Sequence, residues 1–311
     1  MNLVKPTEPV VGRVVSNRNC MRGKSASFVR HIAIDVGGTP LEGAFRAGQA
    51  FGVVPPGTDD RGRPHKVRLY SIASPTNGED GEGRVLSTTC KRMIDEYQPQ
   101  TPKDDADRHD LVLGVCSNHL CDLKEGDEVL VTGPSGKRFL LPEDPARHDY
   151  LFLATGTGIA PFRGMLLDLL ERPEGPVESE IHLVMGVAYS TDLLYDEDLR
   201  ELAEKHGNFH YHTVVSREIG ADGTRGGYVH HYLDRQIELH ETLLSSDRTL
   251  MYLCGLAGMQ IGVFQLLARL GLGGPFLKVK DELAEVPCEE WTAQQIKRHV
   301  RPTHRCMLEV Y

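Results

Sequence analysis

The chain has 311 residues and a mass of 34.5 kDa, a length that predicts about two domains. Hydrophobic residues make up 40% and charged residues 25%, enough for a substantial core, yet no apolar run approaches the roughly 18 residues that span a bilayer, so a membrane span is excluded. The net charge of −9 lies entirely in residues 144–311, with 16 Lys/Arg against 25 Asp/Glu; residues 1–143 balance at 19 and 19, and a chain so charged is not expected to bind nucleic acid.

The opening stretch MNLVKPTEPVVGRVV lacks the apolar run and cleavage site of a signal peptide. Seven scattered cysteines (20, 90, 116, 121, 254, 288, 306), without a CxxC pair, fit reduced thiols in the cytoplasm and no protein-held cluster. Short strands are expected at Val10–Val15, Phe28–Ile34, Ala50–Val54, Val67–Ala73, Val85–Thr89, Leu111–Val115 and Glu128–Thr132. Gly/Pro-rich turns separate them, a spacing that predicts a barrel or sandwich. Residues 74–84 and 98–110 read as solvated loops. Two acid-free basic stretches, 9–34 and 61–68, offer local positive charge to an acidic partner.

Near residue 145 the pattern changes. YLFLAT is a continuous apolar run, as in a parallel strand buried on both faces. A helix over Phe162–Glu171, a strand IHLVMGV, a helix Leu194–His206 and a strand FHYHTVVS follow. A helical region Gly227–Ser245, a strand TLMYLCG and a helix Met259–Leu270 complete the alternation. It predicts βαβ units on a parallel sheet, hence a domain 1–145 and a domain 146–311. Residues 273–305 contain apolar residues but suggest no role.

Several motifs carry chemistry. Ala154–Pro161 (ATGTGIAP) leaves a strand and opens a helix, where glycines and helix amides suit a pyrophosphate; a plain strand–helix turn explains it equally well. RLYS at 68–71 reads alone as a strand with alternating faces, and Cys254 alone as a small buried hydrophobe. Among 14 histidines, His210 and His212 share one strand face and His230 and His231 are adjacent. No carboxylate or thiol cluster completes a site around them, so surface or hydrogen-bonded histidines are expected and no metal.

Taken in order, RLYSIAS (68–74), GVCSNHLCDL (114–123), GDEVLVTGPSGKRFLLP (126–142) and ATGTGIAPFRG (154–164) form the first part of a series. MGVAYSTDLLYDEDL (185–199), VVSRE (214–218), YLCGLAGM (252–259) and the final LEVY continue it. With these motifs the sequence resembles the plant-type ferredoxin–NADP reductases, densely over 49–272, loosely over 1–48 and poorly over 273–305. The resemblance implies an antiparallel FAD-binding β-barrel followed by an α/β doubly wound parallel-sheet domain that binds NADP. It assigns FAD contacts to Arg68 (pyrophosphate), Leu69, Tyr70 (ring stacking), Ser71, Thr89, Cys90, Lys91, Val115, Cys116, Ser117, Thr157 and Tyr311. The run Ser87–Arg92 (STTCKR) departs from the family's pattern, and Tyr97 falls two residues late for the usual adenine partner.

For NADP, with NAD as the alternative, it implies Thr157, Gly158, Pro161, Ser216, Arg217, Arg225, Tyr228, Cys254, Gly255 and Leu256. The family's second basic residue falls on Gly226, and a common basic residue of the CGLAGM turn falls on Ala257. The implied catalytic set is Ser71, Cys254, Glu309 and Tyr311, the last an aromatic that moves aside for nicotinamide. Arg61, Arg63 and Lys66 would dock a ferredoxin or a flavodoxin-like acidic carrier. The implied function is hydride transfer between NADPH and FAD and single-electron transfer to the carrier. A reductase component serving an oxygenase, or a nucleotide-binding regulator without turnover, are the competing readings.

Overall fold

The computed structural model describes residues 3–25, 27–98, 109–220, 223, 226–283 and 285–311. The chain divides into two compact units, Met1–Met21 with Ala26–Ser135, and Arg22–Ser25 with Gly136–Tyr311. The second unit thus begins before the composition change near residue 145. Phe139 explains this: its ring lies 5.7 Å from Phe162 and 5.4 Å from Tyr252, and the Tyr252 hydroxyl donates to the Leu140 carbonyl at 2.8 Å.

The first unit contains β1 (Val10–Asn19), β2 (Val29–Asp35), β3 (Ala50–Val54), β4 (Arg68–Ser71) and β5 (Val85–Lys91). β6 (Ile94–Glu96), β7 (Leu111–Leu113), α1 (Val115–Asp122) and β8 (Glu128–Ser135) follow. Six strands form one antiparallel sheet in the order β4-β3-β8-β1-β2-β5, and an antiparallel bridge between Ile72 and Thr88 links its two edge strands into a barrel. Alternate residues point inward, so Val14, Ile32, Ile34, Phe51, Val53, Leu86 and Val131 fill the interior. Helix α1, which sequence patterning missed, puts Cys116, Leu120 and Cys121 into that core. β6 and β7 pair as a small antiparallel hairpin.

The second unit runs β9 (Asp149–Thr155), α2 (Ile159–Leu170), β10 (Ile181–Val187), α3 (Asp196–Lys205) and β11 (Phe209–Val215). It continues with α4 (Val229–Arg235), α5 (Ile237–Ser245), β12 (Thr249–Gly255), α6 (Ala257–Arg269), β13 (Leu277–Val279), α7 (Ala293–His299), β14 (Val300–Pro302) and β15 (Cys306–Val310). The single helical region expected over Gly227–Ser245 is two helices, parted at Gln236.

The parallel sheet has the order β11-β10-β9-β12-β15. The chain steps outward from β9 to β11, then returns to lay β12 on the other side of β9. This makes the β9/β12 junction the topological switch point, where open α/β sheets bind ligands beyond their strand ends. Residues 273–305 now have a structural role. β13 pairs with β14, and Trp291 and Ile296 join the core that also contains Val263 and Phe264 of α6. The segment thereby delivers β15 to the sheet edge beside β12.

Candidate functional site

In the barrel unit, β4 pairs with β3 and presents Arg68 and Leu69 to solvent; Leu69 is 60% exposed. Neither Arg68 nor the exposed Lys91 at the end of β5 has a carboxylate partner among the described residues. Tyr70 is half-buried, with its ring 6.4 Å from Phe51, and burial beside the Cys90 and Cys116 thiols pushes its phenol well above the ordinary value. It is a neutral ring at any working pH. The Ser71 carbonyl accepts the Thr88 hydroxyl at 2.8 Å.

Cys90 and Cys116 point their thiols into the core. The Cys90 sulfur lies 3.9 Å from that of Cys121, and the Cys116 sulfur lies 3.9 Å from the Val53 carbonyl. Thr89, beside Cys90 on β5, is buried, while Val115 is 48% exposed at the start of α1. The Ser117 hydroxyl donates to the Gly114 carbonyl at 3.2 Å and accepts the Met93 amide at 3.1 Å, tying α1 to the segment between β5 and β6. Among the described residues no side chain caps the N-terminus of α1, so its amides stay open to an acceptor.

In the second unit the predicted residues gather at the switch point. Gly158 approaches β12 so closely that a Cβ would stand 2.1 Å from the Cys254 carbonyl oxygen. Gly255 has a φ of +134°, and its Cβ would stand 2.1 Å from the Thr155 hydroxyl oxygen. Two glycines are therefore required for these strand ends to meet. Thr155, which sequence reading passed over, closes the junction by accepting the Leu256 amide at 2.8 Å. Its position as the last residue before the Gly-rich turn was the available signal.

β12 and β15 pair in a register that sets Cys254 opposite Glu309. Cys254 is 2% exposed, and burial first, then the Glu309 charge, pushes its thiol well above the ordinary value. It is a neutral thiol, a small packing group rather than a thiolate nucleophile. The Tyr311 and Thr157 hydroxyls share a 2.6 Å hydrogen bond, and the Tyr311 backbone bonds to Gly255 and Ala257. Pro161 is buried in the first turn of α2.

At the end of β11 the Ser216 hydroxyl donates to the Val187 carbonyl at 3.1 Å. The Arg217 guanidinium lies 5.9 Å from the Tyr189 ring centroid and has no carboxylate partner among the described residues. Tyr228 is 61% exposed and stacks at 16° on His230. Arg225 lies outside the described residues. At Gly226 a Cβ would stand 1.6 Å from the Val215 carbonyl oxygen, so the backbone itself forbids a basic side chain there.

Residues 152–264 match the family model described as "Oxidoreductase NAD-binding domain". The ferredoxin--NADP reductase of Synechocystis is 35% identical over 315 aligned residues, covering 100% of this chain and 70% of that protein. The chloroplastic leaf isozyme 1 of Arabidopsis thaliana is 36% identical, covering 94% and 79%. The chain belongs to the ferredoxin–NADP reductase family. It is accordingly an oxidoreductase. Among solved structures, ferredoxin-NADP+ reductase from Plasmodium falciparum shares the fold with a TM-score of 0.69 at 23% identity, covering 100% of this chain and 99% of that one. The same enzyme solved with 2'P-AMP has a TM-score of 0.69 at 24% identity, over 88% and 97%.

Against this family background the basic loop before β4 is only partly free. Asp59 accepts from Arg63 Nε at 3.0 Å and Nη2 at 2.7 Å, and from the backbone amides of Arg61 and Arg63. Arg63, expected as a docking charge, is thus neutralised by an acid two residues before the basic stretch. Arg61 and Lys66 are exposed and have no carboxylate partner among the described residues. No helix among the described residues is long and apolar enough to cross a membrane.

Proposed function

We propose that this reductase moves a hydride between NADPH and FAD, and single electrons between FAD and a small acidic ferredoxin-like protein. The observation that carries the reading is the switch-point junction. There Gly158, Gly255, Cys254, Glu309 and the Thr157–Tyr311 hydrogen bond meet at one carboxyl edge of the sheet.

The residues present fit FAD. A solvent-facing arginine with no carboxylate partner, the uncapped amides of α1, and a neutral tyrosine beside an exposed leucine suit a pyrophosphate and a flat ring. Arg68, Lys91 and the α1 amides would hold the phosphates; Tyr70 and Leu69 would face the ring, and Ser71 would hydrogen-bond at its edge. Cys90 and Cys116 contribute through their backbone, because their thiols are committed to the core. When bound, FAD supplies the exchange between two-electron and one-electron chemistry.

The residues also fit NADP. Gly158 and the Gly156–Gly158 turn let the backbone approach a pyrophosphate, Pro161 opens α2, and Leu256 sits 60% exposed at the facing turn. Ser216 and the free Arg217 would take the 2′-phosphate while Tyr228 stacks on the adenine. With Gly226 closed to a basic side chain, Arg217 is the chief described cation for that phosphate, and NAD is the weaker ligand. Cys254 excludes water beside the nicotinamide without offering charge. Glu309 handles a proton at the same edge, and Tyr311 must release its bond to Thr157 to admit the nicotinamide.

The oxygenase-component reading is not favoured by relatives at 35–38% identity that are all named ferredoxin--NADP reductase. Placement in the cytoplasm rests on the seven scattered cysteines, which form no CxxC pair. Anaerobic stopped-flow mixing with NADPH, and separately NADH, tests the proposal by the flavin absorbance. Fast bleaching by NADPH and slow bleaching by NADH is the expected result. A colourless protein that takes up no FAD refutes it.

A further inference from the structure

The amino ends of β10 and β11, together with α5, bring four histidines and a glutamate together at the edge of the sheet opposite the nucleotide junction. His182 is the second residue of β10, and the end of that strand is five residues on, about 16 Å at 3.3 Å per residue. His182 is 3% exposed, His240 of α5 is fully buried, and His212 of β11 is half-buried. The His182–His240 ring centroids are 5.1 Å apart and the His212–His240 centroids 5.7 Å.

The hydrogen-bond inventory of this cluster is incomplete in a specific way. His182 Nδ1, His212 Nε2 and both nitrogens of His240 are buried with no hydrogen-bond partner among the described residues. Buried polar atoms are nearly always paired, so several orphan nitrogens facing one another point to a missing common partner. An imidazole nitrogen that carries no proton offers the lone pair a metal requires.

On the far side of His182, its Nε2 lies 3.0 Å from Glu180 Oε1, and His210 Nε2 lies 2.7 Å from the same oxygen. An Nε2–H donated to a carboxylate fixes the tautomer and leaves Nδ1 as the free lone pair. That carboxylate–histidine pairing typically orients imidazole ligands around a metal.

We propose that His182, His212 and His240 form a binding site for a divalent transition-metal ion of the zinc class, with Glu180 and His210 as the supporting outer layer. One ligand atom from each of the three histidines lies within 4.8 Å of the others. A tetrahedral zinc site with bonds of about 2.0–2.1 Å sets its nitrogens about 3.3 Å apart, so small rotations of the rings close the site. Three imidazoles leave a fourth position for water, reached on the half-buried His212 side. The ion would fasten α5 to β10 and β11, away from the nucleotide edge.

The test uses the full-length flavin-loaded protein, stripped with EDTA, re-equilibrated with zinc chloride, passed through gel filtration and assayed by mass spectrometry of the metal. Cobalt(II), followed by its visible bands, reports the geometry. The expected result is one zinc per chain and a tetrahedral cobalt spectrum. Zinc affinity should fall at least 100-fold in His212→Gln and His240→Gln, and 10- to 100-fold in Glu180→Gln, whose side chain is half-exposed and whose replacement leaves the core intact. Zinc should also raise the Tm of the wild type but not of His212→Gln. Absence of retained zinc in the wild type overturns the proposal. So does equal retention by His212→Gln and Glu180→Gln, which would assign the metal to other histidines.

Discussion

Gly158→Ala is the most exacting test of the switch-point junction. The new methyl carbon would lie 2.1 Å from the Cys254 carbonyl oxygen, 2.5 Å from its carbon and 2.8 Å from the Gly255 nitrogen. Ordinary contact begins near 3.4 Å, so the two turns must part by roughly 1.3 Å (3.4 − 2.1). All three neighbours are backbone atoms, and no side-chain rotation can absorb the displacement. Overpacking of this kind costs about 1–3 kcal/mol of stability. A misplacement of about 1 Å between reacting groups costs on the order of 100-fold in rate, which is about 2.7 kcal/mol of transition-state stabilisation. The expected outcome is a protein that folds and holds its flavin but whose reduction by NADPH in anaerobic stopped-flow is about 100-fold slower. Gly156→Ala is the internal control. Its φ is +54° and, beyond its chain neighbours, no described residue has a heavy atom within 4 Å of the added carbon, so it carries only backbone strain of about 1–2 kcal/mol. If Gly158→Ala reduces at the wild-type rate, or if the two variants lose rate equally, the close approach of β9 and β12 does not position the nicotinamide.

Arg217→Ala removes a guanidinium with no carboxylate partner among the described residues, so KM for NADPH should rise about 10- to 100-fold while KM for NADH stays unchanged; equal losses for both cofactors would remove Arg217 from the 2′-phosphate site. Asp59→Asn keeps the turn's amide acceptor but releases Arg63, and ferredoxin reduction at low ionic strength should accelerate about 2- to 5-fold, an effect that disappears at high salt. A rate that is unchanged at every ionic strength would show that this loop does not steer the carrier. Glu171 accepts from Lys205 and His206, which hold its carboxyl below the ordinary value of 4.5. With the folded-state pKa depressed, the unfolded chain binds the extra proton on acidification. The stabilisation is therefore present above pH 4.5 and is lost as the pH falls through the folded-state value. Glu171→Gln should lower stability by about 0.5–1 kcal/mol at pH 7, with the difference shrinking below pH 4.5 in urea titrations. A difference that persists at pH 3 would refute the ion-pair origin.

The sequence by itself determined the elements whose signal is local. Alternation over short segments specified the barrel strands, continuous apolar runs specified β9, β10 and β12, and the ordered motifs specified the family. These follow from side-chain periodicity and turn chemistry, which act within a few residues. Helix α1 escaped because its eight residues carry a Ser, an Asn and a His and so have no clear apolar stripe. Residues 273–305 escaped because the core they pack into, that of α6, lies elsewhere in the chain.

What only the tertiary structure decided is which distant residues become neighbours. The register of β15 on β12 put Glu309 beside Cys254, and the turn at Asp59 withdrew Arg63 from the basic loop. The Val215 carbonyl closed Gly226 to a basic side chain. His210 and His212 looked solitary in the sequence, because His182 and Glu180 join them only through the pairing of β10 with β11, and His240 only when α5 packs against them. Strand pairing and helix packing join residues tens of positions apart, and no short-range pattern encodes that distance.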